Sequence, residues 1–155
     1  MTSNSKQFTE GQCYRDFRNG DTYEGSTLWM GDFEKIHINA KEARKSRHGK
    51  GKYTWADGNV YNGEWIHGYM TGKGTYKFIN GDVYDGDFKK NKYNGQGTYT
   101  WANGNVYNGN FKDGYKTGKG INKFINGDVY DGEFKYDKYN GKGKYTNKRG
   151  SLYNG

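Results

Sequence analysis

Tyr61-Asn-Gly63-Glu-Trp65-Ile-His-Gly68-Tyr-Met-Thr-Gly72-Lys-Gly74-Thr-Tyr76-Lys-Phe78-Ile-Asn80-Gly81-Asp-Val83 is followed at once by a near-copy of itself. The tyrosine that opens it returns at Tyr84, Tyr107, Tyr130 and Tyr153, each step 23 residues. A Gly-x-Gly pair keeps the same beat at Gly49/Gly51, Gly72/Gly74, Gly95/Gly97, Gly118/Gly120 and Gly141/Gly143. A period this strict is the signature of stacked repeats and decides the fold class.

Each unit reads as a β-hairpin. Asp57-Gly58, Asn80-Gly81, Asn103-Gly104 and Asn126-Gly127 are Asx-Gly turns between aromatic-rich runs, the strongest local hairpin signal. One strand precedes each turn, such as 72–78, and another follows it, such as 82–88. The connections His67-Gly-Tyr-Met-Thr and Lys89-Lys-Asn-Lys-Tyr then close the next hairpin. The predicted fold is all-β: an elongated single-layer antiparallel solenoid, a curved and twisted sheet with two strands per repeat.

Strand alternation assigns faces. Tyr61, Gly63 and Trp65 share one side, and on the neighbouring strand Gly72, Gly74, Tyr76 and Phe78 form a set. A glycine leaves room for a ring to lie over the backbone. One face therefore becomes an aromatic strip of Tyr61, Trp65, Tyr84, Phe88, Tyr107, Phe111, Tyr130 and Phe134, flanked by Trp55, Phe78, Trp101 and Phe124. The opposite face carries acids (Glu64, Asp85, Asp87, Asp131, Glu133) beside bases (Lys73, Lys119, Lys142), an arrangement expected to form cross-strand ion pairs. A second beat of 46 residues overlies the first: 54–63 returns as 100–109, and 77–86 as 123–132. The chain thus reads as a duplicated two-repeat block.

Composition agrees with a thin, ring-built structure. Only 31% of residues are hydrophobic, mean hydropathy is −1.27 and net charge is +8, values that belong to disorder. The 18% aromatic content on a fixed period argues for order instead, because each ring buries roughly 150–250 Å². Residues 1–16 are polar and aperiodic, a tail or edge-capping segment. Residues 17–155 form the repeat domain. Its first unit, opening on Tyr23-Glu-Gly25, is degenerate, with Thr27 where the next unit has Trp65 and a basic insertion over about 27–48. Regular repeats occupy 49–155. The sequence breaks off inside a strand at Tyr153-Asn-Gly155, leaving an edge that could pair with another chain or a second copy.

Spaced in this way, Tyr-x-Gly-x-(Trp/Phe) followed by Gly-x-Gly-x-Tyr resembles the MORN (membrane occupation and recognition nexus) repeat, over roughly 17–34 and 49–155. Departures are the insertion with Thr27, Ile121-Asn122 in place of Thr-Tyr, and Asn147 where an aromatic would fall. The resemblance implies a hairpin solenoid acting mostly as a scaffold, in ciliary and flagellar axonemes, cytoskeletal collars or membrane junctions. Phospholipid binding is not implied by the repeat alone.

No reaction centre is legible. Gly68-Tyr-Met-Thr-Gly72-Lys73-Gly74-Thr75 is one residue short of a phosphate loop and has no hydroxyl residue directly after its lysine. Its near-copy at 114–120 marks it as repeat grammar. His37, His48 and His67 have no nucleophile or carboxylate at a recurring offset, and the carboxylates recur with the fold, so no acid/base pair stands apart. Cys13 excludes an internal disulfide, no Cys/His cluster has zinc spacing, and no cofactor is expected. The start, Met-Thr-Ser-Asn-Ser-Lys-Gln, contains no apolar run, which points to a reducing, cytoplasmic setting.

The expected function is a non-enzymatic scaffold that binds proteins of a larger assembly along the aromatic strip, in a microtubule-based structure such as the axoneme first. The alternative is recruitment to an anionic membrane surface bearing phosphoinositides, through Lys41, Arg44, Lys45 and Arg47 of the insertion and Lys73, Lys119 and Lys142 of the sheet. Against it, lysines alternate with acids instead of forming one dense cluster. Nucleic acid ranks third, since the repeat already explains the mixing of rings and bases.

Overall fold

In a computed structural model, residues 12–16, 19–27, 47–150 and 152–154 are described. Among the described residues, twelve strands form one sheet: β1 (Gln12–Asp16), β2 (Thr22–Thr27), β3 (Arg47–Thr54), β4 (Val60–Ile66), β5 (Tyr69–Lys77) and β6 (Val83–Lys89), then β7 (Lys92–Thr100), β8 (Val106–Lys112), β9 (Tyr115–Lys123), β10 (Val129–Lys135), β11 (Lys138–Thr146) and β12 (Leu152–Asn154). Each pairs antiparallel with its neighbours in sequence, so the chain is an open meander without crossovers. The hairpin ladder expected from the 23-residue beat is the fold. Gln12–Asp16, the end of the segment read as tail or edge cap, lies against Thr22–Thr27 as the first strand. Residues 28–46 of the insertion, with Lys41, Arg44 and Lys45, lie outside the described residues, whereas Arg47 and His48 open β3.

Two kinds of turn alternate. At one edge the N–H of Gly58 donates to the carbonyl of Trp55, and that of Trp55 to the carbonyl of Asn59, each at 2.9 Å. Gly58 takes a left-handed φ of 92°. This is a three-residue loop closing on glycine, and it recurs at 78–81, 101–104 and 124–127. At the other edge the loop is two residues, both with positive φ, as at His67-Gly68 (49° and 81°) and Lys90-Asn91 (48° and 67°). Sequence reasoning expected a five-residue connection there. The strand resumes sooner because positive φ at both turn residues matches the strands' twist, and Tyr69 and Met70 already pair with Ile66 and Trp65.

The three-residue loops are tied together by side chains. Asp21, Asn59, Asp82, Asn105 and Asp128 each accept the backbone N–H of the next loop, from Ala56, Ile79, Ala102, Ile125 and Lys148, at 2.8–2.9 Å. Where the residue is Asp, it also accepts a tyrosine hydroxyl: Tyr53 to Asp21, Tyr99 to Asp82, Tyr145 to Asp128. The 46-residue beat is this alternation of Asp and Asn. The N–H of Ala102 holds the Asp82 carboxyl below its usual range, and the Tyr145 hydroxyl does the same for Asp128. A depressed folded-state pKa contributes stability that is present above about pH 4 and lost as pH falls through the folded value. Thermal melts should therefore fall on acidification, and the fall should be shallower in the Asp82→Asn, Asp128→Asn double variant. An equally steep fall would contradict the role given to this ladder.

A bulge interrupts alternate strand pairs. Gly63 faces Gly74 but Glu64 faces Thr71, which leaves Gly72 and Lys73 extra on β5. Gly72 has φ +55°, and a Cβ there would run into the Glu64 carboxylate. Strict alternation had placed Gly72 on the same face as Gly74; the bulge directs it to the other. It also changes the role of the acids. Oε1 of Glu64 accepts the N–H of Lys73 at 3.3 Å, and Oδ2 of Asp87 accepts that of Gln96 at 3.0 Å. The expected row of cross-strand ion pairs reduces, among the described residues, to Lys73–Asp87 at 2.8 Å.

Candidate functional site

The ring face is built from one repeated packing motif. Tyr84 lies along its own strand over Gly86 and Gly97 of the next; a Cβ on Gly97 would stand 2.5 Å from the tyrosine oxygen. The hydroxyl donates to the carbonyl of Asp87, three residues on, at 2.9 Å. Tyr23, Tyr61, Tyr107 and Tyr130 make the same bond to Ser26, Glu64, Asn110 and Glu133. The hydroxyl thus satisfies a backbone carbonyl beside the bulge, which phenylalanine could not do.

Edge-to-face contacts join these rings in one zigzag. Tyr61 meets Trp65 at 5.0 Å and Phe88 at 4.9 Å; Tyr84 meets Phe88 and Phe111 at 5.1 Å; Tyr107 meets Phe111 at 5.1 Å and Phe134 at 4.9 Å; Tyr130 meets Phe134 at 5.3 Å. Such geometry is favoured by the ring quadrupoles. All eight residues expected to form the partner-binding strip belong to it, on one face, and all are 0–7% exposed. They are the core. What a partner can touch is the row lying on them: Trp55, Tyr76, Tyr93, Tyr99, Trp101 and Tyr145 are partly buried against the zigzag.

A further row runs down this face at 47, 70, 93, 116 and 139. Tyr93 stacks on Tyr84 at 3.8 Å and Tyr139 on Tyr130 at 3.7 Å, while Met70 packs in the core cluster. Arg47 sits 4.4 Å from the ring centre of Tyr53 and 4.3 Å from that of Trp65, and its Nη2 donates to the carbonyl of Gly68 at 3.1 Å. Lys116 lies over Trp101, Tyr107 and Phe134 at 5.1, 5.3 and 5.5 Å. Sequence reasoning missed this row, although its 23-residue spacing is present in the chain. The row falls inside the connections read as loops, so the alternation was not carried through it.

Near the start of the array the face opens into a groove of about 750 Å³. Trp65, Met70 and Arg47 line it together with Asp21 and Trp55-Ala56-Asp57 at one edge and His67, Gly68, Tyr69 and Asn91 at the other. Both turn edges border one hollow, so the sheet curls around its ring face. Burial pushes the phenols of Tyr53 and Tyr107 up to about 12. These phenols stay neutral at physiological pH and act as hydrogen-bonding groups, with Arg47 and Lys116 among the rings and the Asp21 and Asp57 carboxylates at the groove.

Of the basic residues expected to meet an anionic partner, the four that are described, Arg47, Lys73, Lys119 and Lys142, do not converge. Arg47 is 7% exposed among rings, turned inward by its stacking and its bond to Gly68. Lys73 is exposed on the other face and paired with Asp87. Lys119 and Lys142 are exposed.

A family model described as MORN repeat matches residues 46–60, 61–83, 84–106, 107–129 and 130–152. No curated protein matches the sequence. Among solved structures, the chain is similar to the TCP domain of Drosophila melanogaster SAS-4 (dCPAP), in complex with a proline-rich motif of Ana2 (dSTIL). The TM-score is 0.53 with 16% identity, over 93% of this chain and 71% of that one. It is also similar to the TCP10 domain of Danio rerio CPAP in complex with a STIL peptide, with TM-score 0.54 and 13% identity, over 96% of this chain and 61% of that one. At these identities the likeness is one of fold.

Proposed function

The chain belongs to the MORN-repeat family, and from that premise we propose that it is a non-enzymatic scaffold holding an extended segment of another protein along its ring face. The observation that carries this reading is the row of half-buried Trp and Tyr side chains on a rigid buried zigzag, beside a groove bordered by both turn edges. Rings held in place lose little freedom on binding, and Trp and Tyr are enriched at protein interfaces. An aromatic-lined channel suits a polyproline-like segment, which is extended before it binds. The two similar domains hold a proline-rich motif and a peptide, respectively, which supports this choice. The setting is cytoskeletal, with a microtubule-based assembly such as the axoneme first, as expected of small MORN-repeat chains.

A fluorescent synthetic proline-rich peptide tests the reading by anisotropy. Binding is expected, weakened about tenfold by the Tyr99→Ala, Trp101→Ala pair and unchanged by Tyr115→Ala, Tyr136→Ala. Tyr115 and Tyr136 are exposed at the two-residue turns, away from the groove. A melting curve for each variant separates lost binding from lost folding. No binding, or equal weakening by both pairs, would contradict the proposal.

A further inference from the structure

The repeat that opens on Tyr107 breaks the ring pattern at two positions. Lys116 stands where the units on either side have Tyr93 and Tyr139, and Asn122 where the others have Tyr53, Tyr76, Tyr99 and Tyr145. Both adjoin one ring: Lys116 lies over Tyr107, and Asn122 is the cross-strand partner of Tyr107. A stacked tyrosine and a second tyrosine beside it are thus replaced by an ammonium and an amide, a polar notch in an aromatic strip.

The polar groups of the notch are unevenly matched. Asn122 is 8% exposed, and its Oδ1 has no hydrogen-bond partner; its Nδ2 makes only a long contact, 3.4 Å, to the Tyr139 hydroxyl. A buried acceptor without a donor is costly, and native structures rarely leave one so. Lys116 is half buried, with ring faces around its ammonium and, among the described residues, no carboxylate within ion-pairing distance. Arg47, its counterpart three repeats earlier, differs in donating to the Gly68 carbonyl. Burial lowers the pKa of Lys116 against the pull of the Asp137 carboxylate, whose Oδ1 accepts the Lys116 main-chain N–H at 2.8 Å. Nζ itself is not ion-paired with it, so an anion brought to Nζ adds a contact that the free chain lacks.

A ligand that completes the notch must bring an acceptor for Lys116 and a donor for Asn122. A fully ionised phosphate group offers only acceptors and would leave Oδ1 unmatched. One acidic residue in an extended polypeptide offers both. Resting on the scaffold reading above, we propose that Lys116 and Asn122 receive a single Asp or Glu of the bound segment. Its carboxylate meets Nζ of Lys116, and its own main-chain N–H donates to Oδ1 of Asn122, which is closed to solvent in the free chain and is uncovered as the segment seats. The notch then fixes where along the strip the partner sits, which rings alone leave loosely defined because every repeat offers similar ones.

Two sets of synthetic proline-rich peptides test this, identical except for one Asp or one Asn moved along the sequence. At low salt, the chain should bind the best Asp peptide roughly tenfold more tightly than its Asn twin, a charge-assisted contact in a partly buried setting. Added salt should narrow the gap. Lys116→Met copies the residue at position 70, so the fold accommodates it. It should abolish the preference and leave affinity for the Asn peptide within about twofold. Asn122→Tyr, which restores the tyrosine of the other repeats, should also weaken the Asp peptide selectively while raising the melting temperature. Equal binding of both twins by the unmodified chain, or a preference that survives Lys116→Met, would overturn the anchor and leave the scaffold reading intact. Binding of neither peptide would overturn both.

Discussion

Tyr84→Ala is expected to destabilise the protein by about 4 kcal/mol, in the range of large aromatic deletions from packed cores. The ring is fully buried. It meets Phe88 and Phe111 edge-on and stacks on Tyr93, and its hydroxyl satisfies the Asp87 carbonyl. Removal leaves a cavity, loosens three other rings and orphans an acceptor, so little relaxation can fill the gap. The array adds a second consequence. In a repeat protein each unit is stabilised mainly by its neighbours, and the zigzag passes from one half to the other through this residue. Urea unfolding should therefore lose cooperativity, with amides of β6–β8 exchanging early and those of β10 keeping more of their protection. Tyr84→Phe, which keeps the ring but not the hydrogen bond, should cost only about 1–2 kcal/mol.

Gly97→Ala should cost about 3 kcal/mol, although it adds one methyl group. That methyl would lie 2.5–2.7 Å from Oη, Cζ and Cε2 of Tyr84. The ring cannot retreat, being held by its hydroxyl bond and by Phe88, Phe111 and Tyr93. Gly97 does not have a left-handed φ, so the effect is close approach and not backbone conformation. The two predictions are coupled. In a Tyr84→Ala background the same substitution should cost less than about 1 kcal/mol, because the obstructing ring is gone and alanine suits an extended backbone better than glycine does. A double-mutant cycle measured by urea unfolding gives the coupling directly. Additive losses would mean that the ring does not lie on the glycine.

The 23-residue beat made the hairpin ladder and the shared ring face legible before any coordinates, because tyrosine over glycine is a local rule repeated in phase. Tyr61, Trp65 and their counterparts were correctly placed together, but their burial was not legible. Alternation tells which side a residue faces; only the curl of the sheet and the contact of one repeat with the next determine how much water remains. Gly72 and the acids were misjudged for a related reason. A bulge breaks period two; Glu64 then takes a backbone donor in place of a lysine, and Asp87 takes one beside its pair with Lys73. Met70, Tyr93, Lys116 and Tyr139 lay hidden in stretches read as loops, since a turn of non-glycine residues such as Lys90-Asn91 does not advertise its positive φ. Asn122 stood out in the sequence only as a departure from the repeat; its burial beside Lys116 gave it meaning.

The central claim is that the curled face of rings receives an extended protein segment. It is tested most directly by following tryptophan indole N–H resonances and aromatic methine signals by NMR while a proline-rich peptide is added. Trp55 and Trp101 are partly buried on the ring face, whereas Trp65 is buried with its Nε1 donating to the Gly51 carbonyl at 3.0 Å. The expected result is a saturable shift of Trp55, Trp101, Tyr93 and Tyr99, a smaller one of Trp65, and none of Tyr115 or Tyr136. Shifts confined to Tyr115 and Tyr136, with the ring-face indoles unmoved, would contradict the account.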